Sequence, residues 1–194
     1  MTDKCLGDIA TVQLGLVLNR KKAKNDFSHL YKRFTLRTVG SDGINPEAIE
    51  PFYSTEPLQG ESLTRAGTLV MKLYAPFNPI VITKETEGYL FTSQMVSIRP
   101  VKSVLPEYLR LYLSQDFVAE RLLANYFGIA QRAITVDSLL NLKVQIPSLK
   151  NQHIICDYNQ NYRRLRRFRK ELEKEEETMM KYIFSVLSKG KGEQ

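Results

Sequence analysis

Apolar positions recur along this chain with two different periods, and the longer period governs its last fifth. Between Pro147 and Gly190 no Pro or Gly interrupts, and apolar residues occupy heptad positions: Ile155, Tyr162 and Ile183 on a, Tyr158, Leu165, Leu172, Met179 and Val186 on d. Arg169 and Glu176 break the a series. The pattern predicts one continuous helix over 148–190, capped at its start by Ser148 or Asn151 and about 60 Å long at roughly 1.5 Å per residue. A stripe so long and thinly apolar does not suit a core helix of a small domain, so it calls for a second long helix. No other segment of this chain has that length. Residues 191–194 read as a flexible tail.

Residues 1–147 show shorter periods. Alternation predicts a strand over Phe27–Val39 with Lys32, Arg33 and Arg37 facing outward, and apolar runs predict strands at 68–74, 80–83, 89–99 and 143–146. Helical spacing predicts helices at Pro106–Leu113 and Phe117–Tyr126 and a shorter one at Val136–Leu142 opened by Asp137. Leu6 to Gly15 begins as a short apolar element, 39–46 is a turn cluster, Pro51–Glu61 is loop-like with Phe52 and Tyr53 exposed, and Gly128–Ile134 is a polar loop. Strands and helices in this succession predict an α/β (mixed α+β) body of 147 residues, followed by a long helix of coiled-coil type.

The formal charge of +7 favours a polyanionic partner without defining one. Arg20, Lys21, Lys22 and Lys24 concentrate in one loop, which reads equally as a phosphate-holding segment or a solvated turn. Aromatics beside cations, such as Phe52 and Tyr53, either touch bases or pack under a loop. Cys5 and Cys156 are too few for a disulfide framework or a zinc site and read as reduced thiols. No apolar run approaches a membrane span and the first residues lack a signal-peptide pattern, so a cytoplasmic protein is expected.

Catalytic patterns are missing. His29 and His153 sit in no metal-binding spacing, and there is no Gly-x-Ser-x-Gly elbow, phosphate-binding loop, dinucleotide fingerprint or Asn/Asp-Pro-Pro-Tyr/Phe loop for amino methylation. Glu85 and Glu87 read as surface carboxylates. Neither a metal nor a cofactor is expected on this chain.

Several segments together resemble the specificity (S) subunit of type I restriction-modification systems. Leu6-Gly-Asp-Ile-Ala10 is similar to that family's opening Leu-Gly-Asp/Glu-Ile element, and Gly67-Thr-Leu-Val70 to its Gly-Asp-Ile/Leu strand, with Thr68 replacing the usual Asp. Pro106-Glu-Tyr-Leu-x-x-Tyr-Leu113 fits the helix after its recognition sheet. Gly128-x-x-Gln131-x-x-Ile134, Leu139, Ile146-Pro147 and Gln152-x-Ile154 match the closing passage, with Ser148 and Leu149 replacing a proline-rich step and Asn151 a Glu. The resemblance implies a non-enzymatic reader of double-stranded DNA that holds methyltransferase subunits, and often restriction subunits, on a bipartite target. S-adenosylmethionine would then belong to the methyltransferase partner. Full S subunits carry two recognition domains and two long helices, against one of each here.

On that reading Arg20, Lys21, Lys22, Lys24, Lys32, Arg33 and Arg37 contact phosphates, and Arg65, Gln131 and Arg132 are candidate base readers. The alternative from another class is a coiled-coil scaffold or assembly protein whose basic charge is incidental; an enzyme is a third. The helix also predicts its own partner. Arg163, Arg164, Arg166, Arg167, Arg169 and Lys170 precede Glu171, Glu173, Glu175, Glu176 and Glu177, so an antiparallel homodimer lays each basic half along an acidic half. Residues whose numbers sum to 341 should then face one another, Ile155 with Val186, Tyr158 with Ile183, Tyr162 with Met179 and Arg169 with Leu172, with Arg166 close to Glu173 of the other chain.

Overall fold

The structure is a computed structural model, and it describes residues 2–18, 29–40, 43–58, 60–124 and 133–189. Two compact units divide between His153 and Ile154, six residues beyond the boundary expected from Pro147. The first turns of the long helix therefore belong with the body.

The first unit begins with β1 (Thr2–Cys5), a one-turn helix α1 (Leu6–Ile9) and β2 (Ala10–Leu14). Further along come β3 (His29–Phe34), the two-residue strands β4 (Val39–Gly40) and β5 (Gly43–Ile44), and β6 (Glu50–Ser54). Next are β7 (Leu69–Lys72), β8 (Ile80–Val81), β9 (Leu90–Phe91) and β10 (Met95–Pro100). Helices α2 (Pro106–Leu113), α3 (Asp116–Leu123) and α4 (Val136–Leu140), then β11 (Lys143–Ile146), complete it. Helix α5 (Leu149–Lys189) starts in this unit and makes up all of the described part of the second.

Among the described residues there are four sheets, the smallest being the antiparallel pair of β4 and β5. An antiparallel sheet runs β2-β10-β7-β8, a mixed sheet runs β6-β3-β9 with β3 and β9 parallel, and β1 pairs with β11. The core lies on both sides of the mixed sheet. Phe34, Val70, Ile80, Ile82, Phe91 and Met95 pack on one side, while Phe52, Leu58 and Leu90 pack on the other with Leu16, Tyr31 and Leu63. Gly15 lets the β2 end approach this sheet: a Cβ there would collide with the Thr92 carbonyl, and Leu16 N donates to Phe91 O at 3.1 Å. At Gly67 the backbone has φ of +78° and its N–H donates to Ile82 O, which sets the turn leading into β7.

Four expectations are corrected. The strand expected to run to Val39 stops at Phe34, because Thr35 N donates to Thr38 Oγ1 and both hydroxyls reach Ala48 O, closing a turn. The segment expected to be a loop from Pro51 holds a strand, since β6 is an edge strand, where a residue lacking an N–H is tolerated. Phe52 is accordingly buried while Tyr53 faces out. The single strand expected over 89–99 is broken by a turn into β9 and β10, which belong to different sheets. Finally, α4 is capped by Thr135, whose hydroxyl accepts from Ser138 N, and not opened by Asp137.

The long helix runs over Leu149–Lys189, with the expected end at Gly190 outside the described residues, and of the two N-cap candidates Ser148 takes the role, its Oγ accepting from Asn151 N. Every residue from Gln160 to Ser188 is exposed, the a and d residues included.

Candidate nucleic-acid interface

Strands β3 and β6 form an antiparallel ribbon whose two faces differ in chemistry. In register, Leu30 faces Tyr53, Tyr31 faces Phe52, Lys32 faces Pro51 and Arg33 faces Glu50. Because side chains alternate, Tyr31, Arg33, Phe52 and Glu50 share one face and Leu30, Lys32, Pro51 and Tyr53 the other.

The first face is braced. Tyr31 Oη accepts from Leu58 N at 2.7 Å and donates to Leu58 O at 3.3 Å, fixing the strand to the segment after β6. Arg33 forms an ion pair with Glu50 and lies over the Phe52 ring at 5.9 Å. Glu50 also lies 3.8 Å from Arg37, whose side chain is 83% exposed. One carboxylate thus sits between two guanidiniums. Arg33, expected to contact phosphate, has its charge matched within the fold, whereas Arg37 keeps most of its surface open.

The second face is buried at Phe34 and open toward the Leu30–Tyr53 end. Lys32 is exposed, its Nζ donating to Tyr89 Oη at 3.3 Å and lying 5.3 Å from that ring's centroid. Tyr89 is held in turn by an edge contact with Phe34 and by its N–H, which donates to Thr64 Oγ1. Arg65 follows Thr64 directly in the chain and is exposed. Leu30 and Tyr53 are large, apolar and exposed at the end of the ribbon next to His29. Sequence reasoning passed over Leu30, although its two-residue spacing from Lys32 places both on one face.

Among the described residues the structure leaves three of the predicted cations, Lys32, Arg37 and Arg65, exposed. Arg20, Lys21, Lys22, Lys24, Gln131 and Arg132 lie outside the described residues. Glu85 and Glu87 lie at a short 3-10 turn, where Glu87 accepts from Ala66 N. Among the described residues no group of His, Cys, Asp and Glu is arranged to hold a metal ion. No described helix is long and apolar enough to cross a membrane.

At the start of the long helix Gln152 is fully buried and uses its whole amide. Its Oε1 accepts from Leu105 N at 2.8 Å, and its Nε2 donates to Ser103 O at 3.0 Å and to Pro147 O at 2.9 Å. Tyr108 and Tyr112 of α2 donate to the carbonyls of Gln145 and Lys143 in β11. The glutamine was legible as part of a motif; its role as a buried knot between the chain before α2 and the helix start was not.

In the second unit the exposed apolar residues include Tyr158, Tyr162, Leu165, Leu172, Met179, Ile183 and Val186, all on the predicted a and d positions. Met180, Tyr182, Phe184 and Leu187 are exposed beside them.

The family model of the type I restriction modification DNA specificity domain matches residues 1–178. No curated relative matches the sequence. Among solved structures, one concerning complex assembly and conformational transition of the type I R-M system aligns with TM-score 0.66 at 18% identity, over 94% of this chain and 43% of that one. The HsdS subunit from Thermoanaerobacter tengcongensis aligns with TM-score 0.65 at 16% identity, over 92% of this chain and 47% of that one. The S subunit from M. genitalium aligns with TM-score 0.52 at 15% identity, over 81% and 37%. The chain thus spans less than half the length of these solved chains, and at such identities the likeness establishes the fold.

Proposed function

The chain belongs to the type I restriction modification DNA specificity domain family, and on that premise we propose that it reads a defined sequence in double-stranded DNA and directs methyltransferase subunits to it. The observation that carries this reading is the extent of the family match, which runs from residue 1 into the long helix at residue 178 and so takes in both the body and the rod. The chain itself performs no catalysis, S-adenosylmethionine is held by the methyltransferase, and the work is done in the cytoplasm.

Affinity on this reading comes from cations on phosphates, which fix register, while a few side chains read bases. Lys32, Arg37 and Arg65 are available for phosphate or base edges, together with Arg20, Lys21, Lys22, Lys24, Gln131 and Arg132 from the sequence. Arg33 serves as a brace through Glu50.

The rod pairs with a second copy in antiparallel order. Its charge sequence supports this arrangement, since a parallel pair in register sets Arg163–Lys170 beside the same cations of its mate. With partners summing to 341 the dyad lies near Lys170, and two identical recognition domains meet a palindrome of two half-sites around an unread spacer. Titration of a defined target duplex and a scrambled one, across salt and with the methyltransferase present, tests the function. Equal affinity for both duplexes would contradict it.

A further inference from the structure

The open end of the β3–β6 ribbon carries a feature that phosphate binding does not account for. Leu30 and Tyr53 are direct cross-strand partners, and both are exposed, Leu30 by 62% and Tyr53 by 40%. Water gains nothing from two large apolar side chains placed opposite one another beside a lysine. The opposite face of the same strands is fixed by the paired hydrogen bonds of Tyr31 with Leu58 and by Arg33 against Phe52 and Glu50. The exposed pair is therefore presented on a rigid support, as a reading element requires. β9 pairs with β3 only at Arg33 and Phe34, so the sheet has two strands at the Leu30 end, and two strands are narrow enough to enter a major groove, where the only apolar group a base pair displays is the thymine C5-methyl.

We infer that Leu30, backed by Tyr53, sits against the C5-methyl of a thymine in the major groove, while Lys32 on the same face takes an adjoining phosphate. The inference rests on the proposed DNA-reading function and deepens it by naming a base and the side chain that reads it. Charge supports duplex DNA as the occupant over an apolar protein partner: Lys32 is exposed on the same face, two residues along the strand from Leu30.

The test uses the full chain with its methyltransferase and the duplex recovered by selection from a random library, with each thymine replaced in turn by deoxyuracil, which lacks only the methyl group. One thymine in a half-site should respond, its replacement weakening wild-type binding roughly fourfold, the worth of one buried methyl. Leu30→Ala should weaken binding to the unmodified duplex by a similar factor and lose the response to deoxyuracil, so that the two losses do not add. Tyr53→Ala should reduce that response. Lys32→Ala should weaken binding to every duplex and leave the deoxyuracil response intact. A recovered target without thymine, no responsive thymine, or additive losses in Leu30→Ala would overturn the inference while leaving DNA reading in place. Weakened methyltransferase binding by Leu30→Ala with an unchanged deoxyuracil response would assign the patch to a protein and also overturn it. Failure to recover any preferred duplex would sink the proposed function itself.

Discussion

Gln152 Oε1 accepts the backbone N–H of Leu105 at 2.8 Å across 47 positions of sequence, from the second turn of the long helix to the residue that precedes α2. The same side chain saturates its remaining donors on Ser103 and Pro147, so the helix start is tied to the rest of the first unit by one fully buried amide. A buried donor left without its acceptor loses its own solvation as well as the bond.

Gln152→Ala should therefore destabilise the body by about 3 kcal/mol in urea unfolding followed by circular dichroism. Gln152→Glu should do no better, because a carboxylate oxygen would face the carbonyls of Ser103 and Pro147. A change below about 0.5 kcal/mol, the usual range for surface substitutions, would remove the amide from its structural role.

Gly15→Ala should be more damaging than its single methyl implies. The new Cβ would overlap the Thr92 backbone, which cannot turn aside as a flexible side chain would. A loss of about 3 kcal/mol is expected, at the upper end for overpacking. Near-wild-type stability would show that β2 and the mixed sheet can separate at that point.

The ribbon leaves Lys32 exposed and pairs Arg33 with Glu50, and on the proposed function the first contacts phosphate while the second braces the fold. Lys32→Ala should lower the log–log salt slope of DNA binding by about 0.9, the contribution of one neutralised phosphate on duplex DNA. Arg33→Met should leave that slope unchanged and lower stability by about 1 kcal/mol, modest because the Arg33 and Glu50 side chains are partly exposed. Replacing Lys21, Lys22 and Lys24 together should flatten the slope by roughly two to three units. The reverse pattern for Lys32 and Arg33 would exchange their roles.

Leu165→Asp with Leu172→Asp should give a folded monomer that has lost tight specific binding, because both substitutions charge the d series of the proposed antiparallel seam. Cysteine pairs at 155 and 186 should crosslink between chains more readily than 155 with 155. A light-scattering mass of one chain for the wild type at micromolar concentration would refute self-pairing.

Much of the architecture was legible because it follows from local rules. Pro106 at the first helical position and the spacing of Tyr108, Leu109, Tyr112 and Leu113 define α2, and all four of those residues are buried. The long helix was visible in the absence of Pro and Gly after Pro147. What escaped depends on distant pairing. Thr2–Cys5 carries Asp3 and Lys4 and has no strand-like apolar run, yet it is a strand because Lys143–Ile146 lies beside it. Leu90–Phe91 and Met95–Pro100 read as one run because alternation shows which face a residue takes and not which sheet. Among candidate site residues, sequence showed the cations but could not distinguish Arg33, whose partner Glu50 lies 17 positions away, from Lys32 next to it.

The central claim is sequence-specific reading of duplex DNA by a two-fold assembly of this chain. Selection of bound sequences from a random duplex library, in the presence of the methyltransferase, tests it most directly. The account predicts one enriched palindrome of two identical half-sites separated by a spacer of constant length and variable sequence. Recovery of unenriched sequences at low and moderate salt alike would contradict sequence reading, and a single asymmetric site would contradict the two-fold assembly.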